Sequence, residues 1–213
     1  MNLHSDFPYP LYLVLSEGSC LHHSYLKVAE EAIKGGVDII QLREKNCSTE
    51  QFKAKANRLK ALTTKYNIPL IINDNLEVAI DVDAEGIHVG NNDLPPSEIS
   101  KIWRNKMIGY SIEYLHQLSN QEINFVHHLG ISPVFSTATK KDTLVEWGIS
   151  GIQQIRKLTA KPLIGIGNMN ASNIAEVIRA GANSVAIVSA ICHSKDPYKE
   201  ALLLKSKILH ENI

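Results

Sequence analysis

Cysteine is scarce in this chain: Cys20, Cys47 and Cys192 are three in 213 residues, odd in number, far apart and without a C-x-x-C pair. That argues against a disulfide framework. Long apolar runs are missing too; none approaches the roughly 20 residues that span a bilayer. The first eight residues have neither a basic start nor the apolar stretch of a secretory leader. A cytoplasmic protein is the expectation. An excess of one charge is also lacking, since 22 Lys and Arg balance 22 Asp and Glu. A generic nucleic-acid or membrane surface is thereby excluded, and any anion binding must be local. With no linker, low-complexity tract or charge block, one domain over residues 1–213 is expected.

What the chain does have is alternation. Apolar strand-like runs fall near 12–15, 39–42, 70–72, 86–89, 107–111, 125–129, 163–166 and 184–187. Helical patterns fall between them near 25–34, 49–66, 76–80, 97–103, 114–121, 149–158, 171–180 and 197–209. Ser48 or Thr49 can cap the second helix, and Ser97-Glu98 after two prolines reads as a helix start. Gly35-Gly36 and Gly181 stand where helices should stop before a strand. Eight strands alternating with helices predict an α/β fold, a single-domain (β/α)8 TIM barrel. The longest stretch without a clear element, 130–148, is a candidate substrate loop.

Polar residues stand where the apolar runs stop. Gln41, Arg43 and Lys45 are at i, i+2 and i+4, so in a strand their side chains share a face. A guanidinium fork beside a compact ammonium suits a diphosphate. Asn73-Asp74 ends the third strand and Asp93 follows the fourth. Adjacent strand ends can gather two carboxylates on one Mg²⁺, which prefers few carboxylates plus phosphate and water; Asn73 is placed to hydrogen-bond a substrate. Each Asp could instead cap the next helix. Thr137-Ala138-Thr139-Lys140 makes a second anion clamp within the long loop, against a plain solvated loop as the alternative. Gly167-Asn168 and Val188-Ser189 end strands seven and eight, where barrels often bind phosphate. His88 reads as a packed or hydrogen-bonded barrel residue. The pairs His22-His23 and His127-His128, and Cys47, carry no assigned chemistry.

In order and spacing, Gln41-Leu42-Arg43-Glu44-Lys45, Asn73-Asp74, Gly86-Ile87-His88-Val89-Gly90 through Asp93-Leu94-Pro95, Pro133 through Asp142, Ala180-Gly181-Ala182 and Val188-Ser189-Ala190-Ile191 resemble the thiamine phosphate synthase family over nearly the whole chain. The resemblance implies a TIM-barrel transferase that joins a hydroxymethylpyrimidine diphosphate to a thiazole phosphate and releases pyrophosphate. It implies that Gln41, Leu42, Arg43, Glu44, Lys45, Asn73, Ser111 and Lys140 hold the diphosphate substrate, with Arg43, Lys45, Ser111 and Lys140 acting in catalysis. Asp74 and Asp93 would bind Mg²⁺; Thr137, Ala138, Thr139, Gly167, Asn168, Val188 and Ser189 would hold the thiazole phosphate. The partners implied are small molecules, with no nucleic acid and no membrane, and a homodimer is allowed.

Three positions depart from the family pattern: Asn75 where Arg is frequent, Asn91 where Gln is common, and Asn168 in place of the second glycine of Gly-Gly. Asn168 is expected to crowd the phosphate end. Three other readings compete. One is a different phosphate-binding barrel, such as a sugar-phosphate isomerase, which would need a general acid/base pair facing the mouth, where Asp74 and Asp93 look like metal ligands. Related barrels tautomerise a thiazole; they typically lack the aspartates and carry His two residues past the strand-five Ser, where this chain has Glu113. A barrel that binds thiamine intermediates without turning them over is the third.

Overall fold

Eight short parallel strands pair in sequence order and close on themselves: β1 Leu11–Leu15, β2 Ile39–Leu42, β3 Leu70–Asn73, β4 Gly86–Val89, β5 Met107–Ile112, β6 His128–Ile131, β7 Leu163–Ile166 and β8 Ser184–Ile187. The helices are α1 Tyr25–Lys34, α2 Thr49–Lys65, α3 Leu76–Asp81, α4 Pro96–Ile102, α5 Gly148–Leu158, α6 Ile174–Arg179, α7 Ser189–Cys192 and α8 Pro197–His210. This computed structural model describes residues 7–136 and 146–210. Among those residues no helix is long and apolar enough to cross a membrane.

Side chains alternate across each strand, which divides the apolar residues into two bodies. Leu11, Leu13, Leu15, Ile40, Leu42, Ile72, Ile87 and Val185 join the layer between barrel and helices. Tyr12, Val14, Ile39, Ile71, Ile164 and Ala186 fill the barrel interior, joined by Phe7 from ahead of β1. The same alternation carries Gln41 and Asn73, each two residues beyond an interior isoleucine, toward the C-terminal mouth.

Local chemistry explains most boundaries. Ser48 caps α2, its hydroxyl accepting the Gln51 N–H while the Gln51 side chain returns to the Ser48 N–H. The fourth helix starts one residue earlier than its sequence suggested, with Pro96 in the first turn where a missing N–H costs nothing. Two segments differ from expectation. Residues 114–121 form no α-helix; two 3-10 turns, Leu115–Ser119 and Gln121–Phe125, stand there. The Gln117 carboxamide folds back to accept the Glu113 and Tyr114 N–H groups, each at 2.7 Å. The second turn holds Phe125 outside β6, which therefore begins at His128 and runs on through Gly130 and Ile131. Helix α6 starts at Ile174 rather than near 171, because Asn170 accepts the Ser172 N–H and Asn173 accepts the Asn170 N–H, forming turns ahead of it.

Candidate active site

One cleft opens at the C-terminal mouth of the barrel, and Gln41, Arg43, Lys45, Asn73, Asp74, Asp93 and Ser111 all line it. The second strand supplies the basic wall. Gln41 is buried, its Nε2 donating to Tyr12 Oη at 2.9 Å across the interior. Burial drives the Tyr12 phenol far above its ordinary range, the Gln41 bond working against it. Arg43 follows on the same side and Lys45 reaches across to Asp74, Nζ to Oδ2 at 2.8 Å. Leu42 and Glu44 point elsewhere, as strand alternation demands. Leu42 is in the core, and the Glu44 carboxylate accepts from the Lys55 ammonium at 2.8 Å and the Glu17 N–H at 2.6 Å. Neither lines the cleft.

The two aspartates do not cap helices. Asp74 takes φ 62°, a left-handed conformation that Asp and Asn enter more readily than other non-glycine residues. Its N–H donates to the His88 carbonyl at 2.9 Å. The capping falls to Asn75, whose Oδ1 accepts the Val78 N–H at 3.0 Å at the start of α3. The Asp93 Oδ2 instead accepts the Gly90 N–H at 2.7 Å, closing the loop that leads to α4. Burial raises the Asp93 carboxyl above its ordinary value; the Gly90 N–H lowers it, the adjacent Asp74 carboxylate raises it, and Lys45 lowers it. Two carboxylates close enough to repel, with one ammonium bonded to Asp74, make a donor set that a hard divalent cation would neutralise. Among the described residues no three His, Cys, Asp or Glu side chains gather to hold a metal by themselves. Mg²⁺ does not need them, since it keeps water and takes phosphate oxygens in its shell.

Ser111 on β5 lies with its Oγ 3.0 Å from His88 Nε2. His88 thus hydrogen-bonds, as its sequence context suggested, and it also faces the cleft. Its ring stacks on that of His128 at 5.7 Å, with Gly109 between their strands. A Cβ at Gly109 would stand 2.2 Å from His128 Nε2 and 2.4 Å from His88 Nδ1, so only glycine admits both imidazoles.

Beyond β1 from the basic wall, Gly167, Asn168, Val188 and Ser189 line the cleft from the ends of β7 and β8. Gly167 has φ 116°, and a Cβ there would come within 2.8 Å of Pro133. Asn168 takes φ 52°, a left-handed geometry that Asn tolerates better than most residues. Its side chain is exposed, and its carbonyl accepts from Asn173 Nδ2 at 2.9 Å and Asn170 Nδ2 at 3.2 Å. Thr137, Ala138, Thr139 and Lys140 lie outside the described residues. Sequence reasoning missed Ser16 and Ser19, which line the cleft beyond β1 and cap one another, each N–H donating to the other hydroxyl at 3.1 Å. The signal was present: Leu15-Ser16 is another apolar run that stops at a polar residue.

A closed parallel barrel with cationic side chains facing paired carboxylates at its C-terminal mouth defines a TIM-barrel enzyme site of the kind suited to phosphate esters. The family model described as thiamine monophosphate synthase matches residues 11–191, and the chain belongs to that family. It is 40% identical to the thiamine-phosphate synthase of Albidiferax ferrireducens over 199 residues, 93% of this chain and 91% of that one. It is 37% identical to the thiamine-phosphate synthase of Chloroflexus aurantiacus over 198 residues, 93% of this chain and 92% of that one. A solved thiamine phosphate pyrophosphorylase from Pyrococcus furiosus superposes with a TM-score of 0.87 at 28% identity, covering 95% of this chain and 96% of the other.

Proposed function

We propose that this barrel condenses 4-amino-2-methyl-5-hydroxymethylpyrimidine diphosphate with thiazole phosphate, giving thiamine phosphate and pyrophosphate. Family membership supports the reaction. The observation that carries the assignment of residues is the convergence of Arg43, Lys45, Asp74 and Asp93 on one cleft. The C–O bond between the pyrimidine methylene and the diphosphate breaks, and its electron pair leaves with pyrophosphate. The cation left behind is stabilised by the electron-rich aminopyrimidine, and the thiazole nitrogen captures it to form the new C–N bond. No protein nucleophile is required.

The departing charge sets the demand on the protein. Arg43 and Lys45 offset negative charge on the leaving diphosphate, a role that the family resemblance extends to Lys140. Asp74 and Asp93 would hold Mg²⁺, which when bound supplies electrostatic stabilisation of that same charge. Gln41, Asn73 and Ser111 orient the pyrimidine half; Gly167, Asn168, Val188 and Ser189 take the thiazole phosphate, a role that the family resemblance extends to Thr137, Ala138 and Thr139. Holding both substrates in register in a water-poor mouth contributes much of the remaining acceleration.

Mixing the purified protein with both substrates and Mg²⁺ tests the reading. Thiamine phosphate and pyrophosphate should appear in equal amounts, and chelation of the metal should stop both. Binding of either substrate without pyrophosphate release would point to a silent binder. Interconversion of thiazole tautomers alone would point to the tautomerase-like reading.

A further inference from the structure

A buried amide behind the mouth uses all of its polar atoms without facing the cleft. Gln117, in the 3-10 turn after β5, is 3% exposed. Its Oε1 accepts two backbone N–H groups, those of Glu113 and Tyr114. That pins the orientation of the carboxamide, because only the oxygen can accept both. Its Nε2 then donates twice, to the Ser111 carbonyl at 3.0 Å and to Asn91 Oδ1 at 2.6 Å. Asn91 Oδ1 also accepts the Tyr110 hydroxyl at 2.7 Å, and Asn91 Nδ2 donates to Glu113 Oε2 at 2.8 Å. Asn91 directly follows Gly90, whose N–H holds Asp93.

We propose that Gln117 is a positioning residue which, through Asn91, ties the loop carrying Asp93 to the end of β5 carrying Ser111. The inference rests on the reading of the mouth given above and extends it to residues that touch no substrate. Asp93 sits on a loop and Ser111 on a strand, so nothing in the barrel ladder alone sets their separation. A fully satisfied amide link does so, and without adding a charge beside the aspartate pair. Its energetic weight comes from the asymmetry of buried polar groups: removing one partner strands the other. Displacement of a site group by about 1 Å can cost on the order of a hundredfold in rate.

The test compares Gln117→Leu, Asn91→Ala and the double variant with the unaltered protein. Binding of Mn²⁺ together with inorganic pyrophosphate is read by calorimetry, beside steady-state kinetics with both substrates. Each single change should weaken Mn²⁺–pyrophosphate binding by about fivefold or more and lower kcat by about tenfold, leaving KM for thiazole phosphate within about twofold. The double variant should be no worse than the poorer single, because both residues act through one link. A fall in melting temperature with unchanged pyrophosphate binding and kcat would make the network purely structural and overturn the proposal; additive losses in the double variant would do the same. Asn91 is exposed, so its variant carries the test by itself if Gln117→Leu does not fold. An unaltered protein that makes no thiamine phosphate, with variants that still bind Mn²⁺–pyrophosphate more weakly, would remove the reaction and keep the link. No Mn²⁺–pyrophosphate binding in the unaltered protein would remove both.

Discussion

Asp74 and Asp93 reach the mouth by different means: one through a left-handed backbone at φ 62°, the other through a loop closed on its own carboxylate. Because neither caps a helix, replacing Asp93 should cost function more than structure. Asp93→Ala is expected to abolish pyrophosphate release while the circular-dichroism melt stays close to that of the parent protein. Full turnover in that variant would remove the metal assignment. At the end of β7 Asn168 occupies a left-handed position where the family commonly has glycine. Its side chain is exposed, and it is the carbonyl that takes part in the local turn. Asn168→Gly should therefore leave kcat/KM for thiazole phosphate equal or higher; a severe loss would show that the carboxamide contributes to binding.

Among the elements, α3 shows how one departure from the family pattern is absorbed. Asn75 supplies the cap that the preceding aspartate does not, bonding the Val78 N–H. Loss of such a cap typically costs about 1 kcal/mol. Asn75→Ala should thus lower the melting temperature by about 2–4 °C in a chain of this size, with Mg²⁺ dependence of turnover largely preserved. A melt indistinguishable from the parent would mean that water replaces the cap freely. The 3-10 turns between β5 and β6 illustrate the opposite situation: a helical pattern overruled by one glutamine side chain and by the Glu122 carboxylate, which binds the Ser97 N–H and hydroxyl at 2.8 Å each.

Across the whole molecule, the barrel interior holds a histidine that the proposed reaction does not use. His128 is fully buried between Phe7, Tyr12 and His88, and neither ring nitrogen has a hydrogen-bond partner among the described residues. Burial, then the neighbouring His88 and His127, hold its imidazole well below the ordinary value of 6.5. The folded protein therefore keeps it neutral, whereas the unfolded chain protonates it as pH falls below about 6.5. Stability from this site is complete above that pH and declines on acidification, by up to about 1.4 kcal/mol per pH unit. Between pH 7.5 and 5.5 the urea midpoint should fall, and His128→Leu should flatten that dependence whatever its effect on absolute stability. His127 is shifted the same way, by burial first and then by Lys161, so part of the slope should survive in the variant. An unchanged slope would mean that His128 does not govern it.

Much of this was legible in one dimension. Strands 39–42, 86–89, 163–166 and 184–187 stand where their apolar runs end. Gln41, Arg43 and Lys45 were expected to share a face because a strand's period is two; β2 ends at Leu42, and all three nonetheless line one cleft. Leu42 and Glu44 came along only through resemblance to a family motif, and the same period turns them away from the cleft. The start of β6 was misplaced because Phe125 and Val126 are apolar, yet a cap at Asn120 and the bonds of the Glu122 carboxylate to distant Ser97 decide that segment.

The sequence by itself determined the alternation of elements, the closure implied by eight of them, and the chemistry offered at their ends, since these follow from local periodicity and from residue type. Only the tertiary structure decided that both aspartates face the mouth while Asn75 does the capping, where Asn91 and Gln117 meet, and that two imidazoles share the space above a glycine. Those outcomes depend on contacts between residues tens of positions apart, where packing and the satisfaction of buried polar groups override any local preference.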